Sequence, residues 1–375
     1  ARVVALAPIT LFGVVFLLIA ATLLFLRGFP LLLRLASRLA LRGKSAAPML
    51  ALAQMARAPR SFVRTIMLLA FATAFIVFAL VFSATQTQRM QDVAAYQVGA
   101  DLSGSIANHA ALVPSSAYSG LPGIAAASTG YTVSDNVAGL NGVFVDVMAV
   151  DANTFARTAA WANQDSTQSP AALMAQLAAA RSSARTYVPA IVDAAAASNL
   201  RLSIGSHFTL SDSNGQLGFV VVAEAQHIPT LIDTTAPNDT GDPLPSGGIL
   251  VDFQTYANLE ALQNGISITT TSVWIRTNSG AQALAAARRV LLQGTAADAT
   301  ASERQTIAAA LQQGAIPVDS LSDRRAIAAT LQSDPLYHAL LELLFTGTLA
   351  ALLLALIGSL VASWQNARRR LLSFS

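Results

Sequence analysis

The chain has 375 residues, 54% of them apolar and only 11% charged, against roughly 25% charged in an ordinary soluble protein. With 22 Arg and one Lys, its formal net charge is +3, too small an excess to point to a nucleic-acid partner. Cysteine is absent, which excludes a disulfide framework, a thiolate metal site and a cysteine nucleophile.

The length admits two or three domains. Three segments meet the requirement of about 20 apolar residues for crossing a hydrocarbon core of about 30 Å. They are Val3 to Leu26, Thr65 to Gln88 and Leu343 to Trp364. The first lacks the short apolar core and small-residue cleavage site of a signal peptide. The chain opens on Ala rather than Met, and it reads as a fragment of something longer.

Orientation follows from Lys and Arg, which are retained on the cytoplasmic side of short flanks. Between Arg27 and Arg64 stand eight positive residues and no acid, among them Arg34, Arg38, Arg42, Arg57, Arg60 and Arg64. Arg368, Arg369 and Arg370 follow the third span, again without acid. The intervening segment carries 11 Arg against 19 Asp plus Glu, a net of −8. The expected topology is therefore N-terminus out, basic loop in, large domain out and C-terminus in. These arginines are read as anchoring and topology residues on the inner leaflet.

In chain order the expected organisation is a transmembrane helix at 3–26, then a basic cytoplasmic linker with amphipathic helices at 27–64. A second transmembrane helix follows at 65–88, and an extracytoplasmic domain at 89–337. The chain closes with a third transmembrane helix at 338–367 and the start of a cytoplasmic segment at 368–375. Within the linker, Arg34, Arg38 and Arg42 recur at helical spacing among leucines over Leu31 to Arg42. This pattern suits a helix lying on a membrane surface. A second short helix is expected over Ala47 to Arg57, with a bend at Pro59.

The outer segment alternates two patterns. Strand-like runs are Gly142 to Val150, His207 to Leu210, Phe219 to Ala225, Gly247 to Phe253 and Thr271 to Thr277. Asn141-Gly142 and the SDSNGQ stretch around Asn214-Gly215 are turn signals, the latter for a hairpin. Alanine-rich helical stretches cover Pro170 to Arg185, Asp193 to Asn199, Gly280 to Gln293 and Ser302 to Gln313. The expected fold is a membrane protein: transmembrane α-helices plus a large mixed α/β or α+β extracytoplasmic domain, with room for two subdomains. Pro229 to Ser246 reads as an exposed loop.

Catalytic chemistry finds little support. His109, His207, His227 and His338 are scattered without ligand spacing. Neither a GxSxG elbow nor a phosphate-binding GxxxxGK[ST] loop occurs, so no enzyme activity, metal or cofactor is expected. The acids of the outer segment fall at strand ends and in turns, as in Val150-Asp151 and Ser211-Asp212, and read as solvated surface. His338 and Glu342 stand four residues apart at the entry to the third span. A proton relay is the functional reading of such a pair, and an interfacial ion pair or simple hydration is the blander one. Small residues spaced for helix packing are Ala70 with Ala74, Gly347 with Ala351, and Ala355 with Ser359.

ALAQMARAPRSFVRTIMLLAFATAFIVFAL, from Ala51, resembles the entry to a repeat unit in FtsX-like (MacB-type) ABC transporter permeases. Ala51, Leu52, Ala56, Arg57, Pro59 and Arg60 match the run that precedes a first span there, while Gln54 and Met55 depart from it. Tyr96 to Ile106, YQVGADLSGSI, is similar to the strand that opens the family's outer domain. YVPAIVDAAAASNLRLSIGSHFTLSDSNGQLGFVVVAEAQHIP resembles its central passage. DPLYHALLELLFTGTLAALLLALIGSLVASWQNARRR resembles the return span with its basic end. The likeness lies in the order of parts and covers most of the chain.

The resemblance implies two similar units, each with an outer domain between its first two spans, and a separate cytoplasmic ATPase that binds the ATP. Val3 to Leu26 would then end one unit and Thr65 to Trp364 begin the next. Implied partners are membrane lipid, that ATPase, and further transmembrane helices of the same or a second permease. The implied location is a cell (inner) membrane, crossed several times. The implied work is done on a lipid, lipoprotein, peptide or partner protein. The rival reading is a membrane-anchored sensor, in which two spans flank an extracytoplasmic ligand-binding domain. A tethered hydrolase would need a clustered nucleophile and base, and the sequence offers none.

Overall fold

The computed structural model describes residues 59–372 together with Ala20, apart from 108–111, 141, 163–164, 214, 232–246 and 297–298. The span at Val3 to Leu26, the two linker helices, Arg34, Arg38, Arg42, Arg57, His109 and most of the Pro229 to Ser246 loop lie outside the described residues. The chain divides into a helical unit, 1–87 with 333–375, and a sheet unit, 88–332.

Helix α1 (Pro59–Val98) covers the second expected span. The last helix of the chain, Pro335–Leu372, covers the third. Its segment Pro335–Val361 has a mean hydropathy of 2.3, and it is long and apolar enough to cross a membrane, the one such helix among the described residues. Its large apolar side chains face outward, Leu343 and Leu360 among them, as suits a hydrocarbon solvent.

The two helices share a seam of small residues. Ala72 and Ala79 are buried on α1, as is Ala355 on the last helix. The ring of Phe75 lies where a Cβ on Gly347 would come within 3.4 Å. The hydroxyls of Thr87 and Tyr337 stand 3.5 Å apart. Of the expected small-residue pairs, Gly347, Ala351, Ala355 and Ser359 fall on or beside this seam, whereas Ala74 points outward and gives its place to Ala72 and Ala79. A seven-residue step keeps one face of a helix toward its neighbour, and a four-residue step from Ala70 does not meet it here.

Among the described residues the sheet unit has nine strands: β1 (Leu102–Ile106), β2 (Ile124–Val137), β3 (Phe144–Val150), β4 (Tyr187–Asp193), β5 (His207–Ser211), β6 (Gln216–Ala225), β7 (Gly248–Asp252), β8 (Ser272–Thr277) and β9 (Val318–Asp323). Helices α2 (Phe155–Thr158) and α3 (Pro170–Ala180) join β3 to β4, α4 (Ala194–Asn199) follows β4, and α5 (Phe253–Gln263) follows β7. Helices α6 (Ala281–Gln293) and α7 (Ala301–Gln312) join β8 to β9, and α8 (Arg324–Gln332) follows β9. The Pro335–Leu372 helix is α9.

Strand pairing closes a ring. β3 pairs with β7, β7 with β4, β4 with β6, β6 with β5, β5 with β2, and β2 back with β3. The β3–β7 and β4–β6 contacts are parallel and the other four antiparallel. The first half of β2 pairs instead with β8, which continues to β1 and β9 as an open antiparallel sheet. The mixed α/β character is as expected, and the ring and the open sheet share one strand.

Side chains of one parity around the ring, including Val145, Val147, Val188, Ala190, Phe219 and Val251, make a single buried cluster. Helix α5 adds Tyr256 and Leu259 to it, with Tyr256 stacked on Tyr131 at 6.2 Å. The opposite parity, Met148, Ile191 and Leu250, packs against Leu173, Met174 and Leu177 of α3. This two-sided burial explains the near-continuous apolar runs of β3, β4 and β7. Beneath the open sheet, Leu102, Ile106, Val273 and Ile275 pack on α6 and α7. Each such side chain contributes about 1.5–3 kcal/mol on leaving water.

Acids at the strand ends depart from the solvated reading. Asp193 and Asp252 are buried, and each accepts a backbone N–H in the first turn of the next helix, from Ala196 at 2.6 Å and Thr255 at 3.0 Å. Asp323 accepts the N–H of Arg325 at 2.7 Å in the same way. A helix start leaves four N–H groups unpaired, and a carboxylate there meets both the donors and the helix dipole. Asp193 also accepts Gly248 N at 2.8 Å, tying β4 to β7. Asp252 forms a two-pronged ion pair with Arg181, at 2.7 and 3.0 Å. Asp151 is partly buried, and Asp212 is exposed as expected.

At Gly130 β2 changes partners, facing Ser272 of β8 on one side and Val150 of β3 on the other. A Cβ here would run into the Ala149 carbonyl oxygen and come within 2.9 Å of the Trp274 ring. Gly130→Ala is expected to destabilise the sheet unit by about 2 kcal/mol or more through overpacking. Thermal unfolding of the purified chain measures it, and an unchanged transition would remove Gly130 as the tight point between the two sheets.

Candidate functional site

A cleft of about 660 Å³ opens where the start of β1, the end of β8 and the first turn of α8 meet. Arg276, Arg324 and Arg325 line it with Asp92 and Asp101, a local positive excess in a segment whose overall charge is negative. Asp101 organises two of the elements. Its Oδ2 accepts the N–H of Thr277 at 3.1 Å and its Oδ1 pairs with the Arg324 guanidinium at 2.9 Å. Arg276 donates to the Arg157 carbonyl at 3.2 Å.

Arg325 is different. Its backbone is held by Asp323, and its guanidinium has no hydrogen-bond partner among the described residues. The indole Nε1–H of Trp161, a residue also in the wall, is buried and finds no acceptor among the described residues. Leaving such a donor unpaired costs about 1–3 kcal/mol. Ala95, Ala125, Ala159, Ala160 and Ala162 line it as well, together with the polar Thr158, Thr277, Asn278 and Ser279.

A second concentration of charge lies within the ring. Asp135 of β2 is 7% exposed. Burial, then the charges of Asp212 and Glu260, push its carboxyl up to about 6. Burial likewise raises Glu260, partly offset by the Asn264 amide, which donates to it at 2.8 Å. Tyr131 and Tyr256 are raised by burial and by the same acids. No group of three His, Asp or Glu side chains stands ready to hold a metal among the described residues.

The residues singled out in the sequence stand apart from both places. His338 and Glu342 are exposed on α9, and no ion pair joins them. Arg60 and Arg64 lie on α1, and Arg368, Arg369 and Arg370 on α9, with side chains outside the description. His207 packs edge-on to Tyr187 at 4.5 Å and His227 to Tyr96 at 6.1 Å. The cleft residues were not anticipated. Asp323-Arg324-Arg325 was the one local signal, a capping acid followed by paired arginines. Trp161 had none.

No family model matches the chain, and no curated protein does. Among solved structures it is similar to the periplasmic region of MacB from Actinobacillus actinomycetemcomitans. That likeness has a TM-score of 0.32 and 8% identity over 63% of this chain and 95% of that one. It is also similar to a domain of a protein from Porphyromonas gingivalis described as a permease, with a TM-score of 0.26 and 12% identity over 50% of this chain and 75% of that one.

The raised carboxyl of Asp135 sets a pH dependence. The folded state holds this proton more tightly than the unfolded chain, so its contribution is fully present below about 4 and is lost as pH rises toward about 6. Asp135→Asn is expected to flatten that part of the profile and to stabilise the chain at pH 7.5 by about 2 kcal/mol. Thermal unfolding at pH 4.5 and 7.5 measures both effects, and a variant less stable at pH 7.5 would show that the carboxylate has a partner.

Proposed function

We propose that the chain is part of the permease subunit of an ABC transporter. A separate cytoplasmic ATPase binds and hydrolyses ATP, and the motion of the spans is passed to the sheet unit. That unit then acts on a lipid, lipoprotein, peptide or extracytoplasmic partner protein. In this reading the chain crosses a cell membrane several times, its arginine-rich linker at Arg27 to Arg64 lies on the inner leaflet, and no nucleic acid is involved.

One observation supports it most. A folded mixed α/β unit at 88–332 is inserted between two long helices that pack on each other through small residues, in the order of parts that the sequence shares with FtsX-like permeases. Paired helices suit a moving bundle, since small residues let backbones approach and slide. The chemistry agrees, since work done by a partner's ATP hydrolysis needs no catalytic group here. Two flanking helices would equally suit a sensor, but the additional apolar segment at Val3 to Leu26 favours the permease.

Two measurements test the reading. The chain has no native cysteine, so single substitutions report topology cleanly. An impermeant maleimide should label Asn153→Cys in intact cells, and Ser45→Cys only after permeabilisation. The reverse pattern would sink the topology. The full-length protein should also co-purify with a P-loop ATPase from its own cell, and failure to form any such complex would overturn the permease assignment.

A further inference from the structure

We infer that the seam between β2 and β5 is a proton-operated latch on the ring, shut while the Asp135 carboxyl is protonated and parted when it is ionised. The seam is the shortest pairing in the ring. It consists of Asn136 facing Ser211 and Val137 facing Leu210, and the N–H of Ala138 adds a bond to the Thr209 carbonyl at 2.9 Å. On its other side β2 faces β3 all the way from Gly130 to Asn136. Continued by one residue, the register of the seam would set Asp135 opposite Asp212, and the pairing stops there. Like charges directly across an antiparallel pair oppose its formation.

Asp135 also faces the wrong way for an ionised group. Tyr131, Val133 and Val137 of β2 pack in the apolar interior of the ring, and alternation along the strand puts Asp135 on the same face. From β3 it meets Val145. The titratable groups that bear on it are Tyr131 of β2, Tyr256 and Glu260 of α5, and Asp212 in the β5–β6 turn. None is a cation, and among the described residues no hydrogen bond or ion pair reaches Asp135. Glu260 accepts the Asn264 amide at 2.8 Å and Asp212 the Gly215 N–H at 2.9 Å, so both have donors that Asp135 lacks. A carboxylate so placed gains most by reaching water, and the short seam beside it is the nearest way out. β5 has only β6 and β2 as neighbours, so a parted seam leaves the β5–β6 hairpin attached through β6. The latch belongs to the ring alone and works whether or not the chain serves an ATPase.

The closed ring holds the proton up to about 6 rather than the ordinary 3.8, through burial first and then the charges of Asp212 and Glu260. Water restores the ordinary value once the seam parts. Closure is therefore fully favoured below 3.8 and weakens as pH rises through about 6, so the parted state gains about tenfold on the closed one between pH 5 and 7.5. Hydrogen–deuterium exchange of the whole chain in nanodiscs, followed from pH 4.5 to 8 and corrected for the intrinsic pH dependence of exchange, tests this. The Ala138 amide should lose about tenfold in protection between pH 5 and 7.5. At both values it should exchange faster than the β4 amides, whose release needs the whole ring to open. Asp135→Asn should abolish the loss at Ala138. Asp212→Asn should keep it and move its midpoint to lower pH, and this variant carries the comparison should Asp135→Asn not fold. Protection at Ala138 that is independent of pH, or a loss that survives in Asp135→Asn, would overturn the latch. So would equal rates at Ala138 and in β4 throughout, which would leave Asp135 acting on overall stability alone.

Discussion

Strand β2 has two sets of partners, and the sheet unit depends on that double membership. Its residues 124–130 run beside β8 and its residues 130–136 beside β3, so one continuous backbone belongs to an open sheet and to a closed ring. The transfer happens at Gly130, where neighbouring backbone comes too close for a side chain. Closing the ring removes the edges that six strands would otherwise expose. The open sheet keeps an edge at β9, whose sequence VDSLSD is mostly polar and short. A polar, short edge resists pairing with other chains.

Buried aspartates are the second organising device. Asp193, Asp252 and Asp323 each close a strand and start a helix, and each also reaches a distant element, Asp193 the Gly248 N–H, Asp252 the Arg181 guanidinium and Asp323 the Arg288 guanidinium. These carboxylates are retained in the interior because first-turn N–H groups, and for Asp252 the guanidinium of Arg181 as well, replace their water. Asp135 shows the contrary case. It is buried among other acids, and its affinity for the proton rises accordingly. The same domain thus contains acids that hold it together and an acid that opposes the folded state once ionised.

Much of the architecture is legible in the residues. β3, β7 and β8 announce themselves as apolar β-branched runs, and the β5–β6 hairpin is marked by its turn, where Asp212 and Gly215 exchange hydrogen bonds at 3.1 and 2.9 Å. By contrast β2, IAAASTGYTVSDNV, contains alanine, serine and glycine where a strand usually shows bulk, because its neighbours on both sides press close. β9 is hidden by polarity, being an edge with one face in water. α5, FQTYANLEALQ, lacks a clean amphipathic stripe, since it meets apolar side chains from several strands. The cleft is illegible for a different reason. Trp161, Arg276 and Arg325 come from segments more than 40 residues apart, and the pairing of β8 with β1 and of β1 with β9 that brings Arg276 near Arg325 is encoded by no local pattern.

By itself the sequence determined long apolar segments, an uneven distribution of charge along the chain, and an α/β unit of alternating strands and helices. Those properties are local sums, fixed by hydropathy, charge and periodicity over windows of about 20 residues or fewer. Only the tertiary structure decided that two sheets share one strand, which aspartates leave the surface, and where Trp161, Arg276 and Arg325 meet in one cleft. Those are properties of long-range closure, in which backbones distant in sequence settle against one another and the space left between them is set by packing.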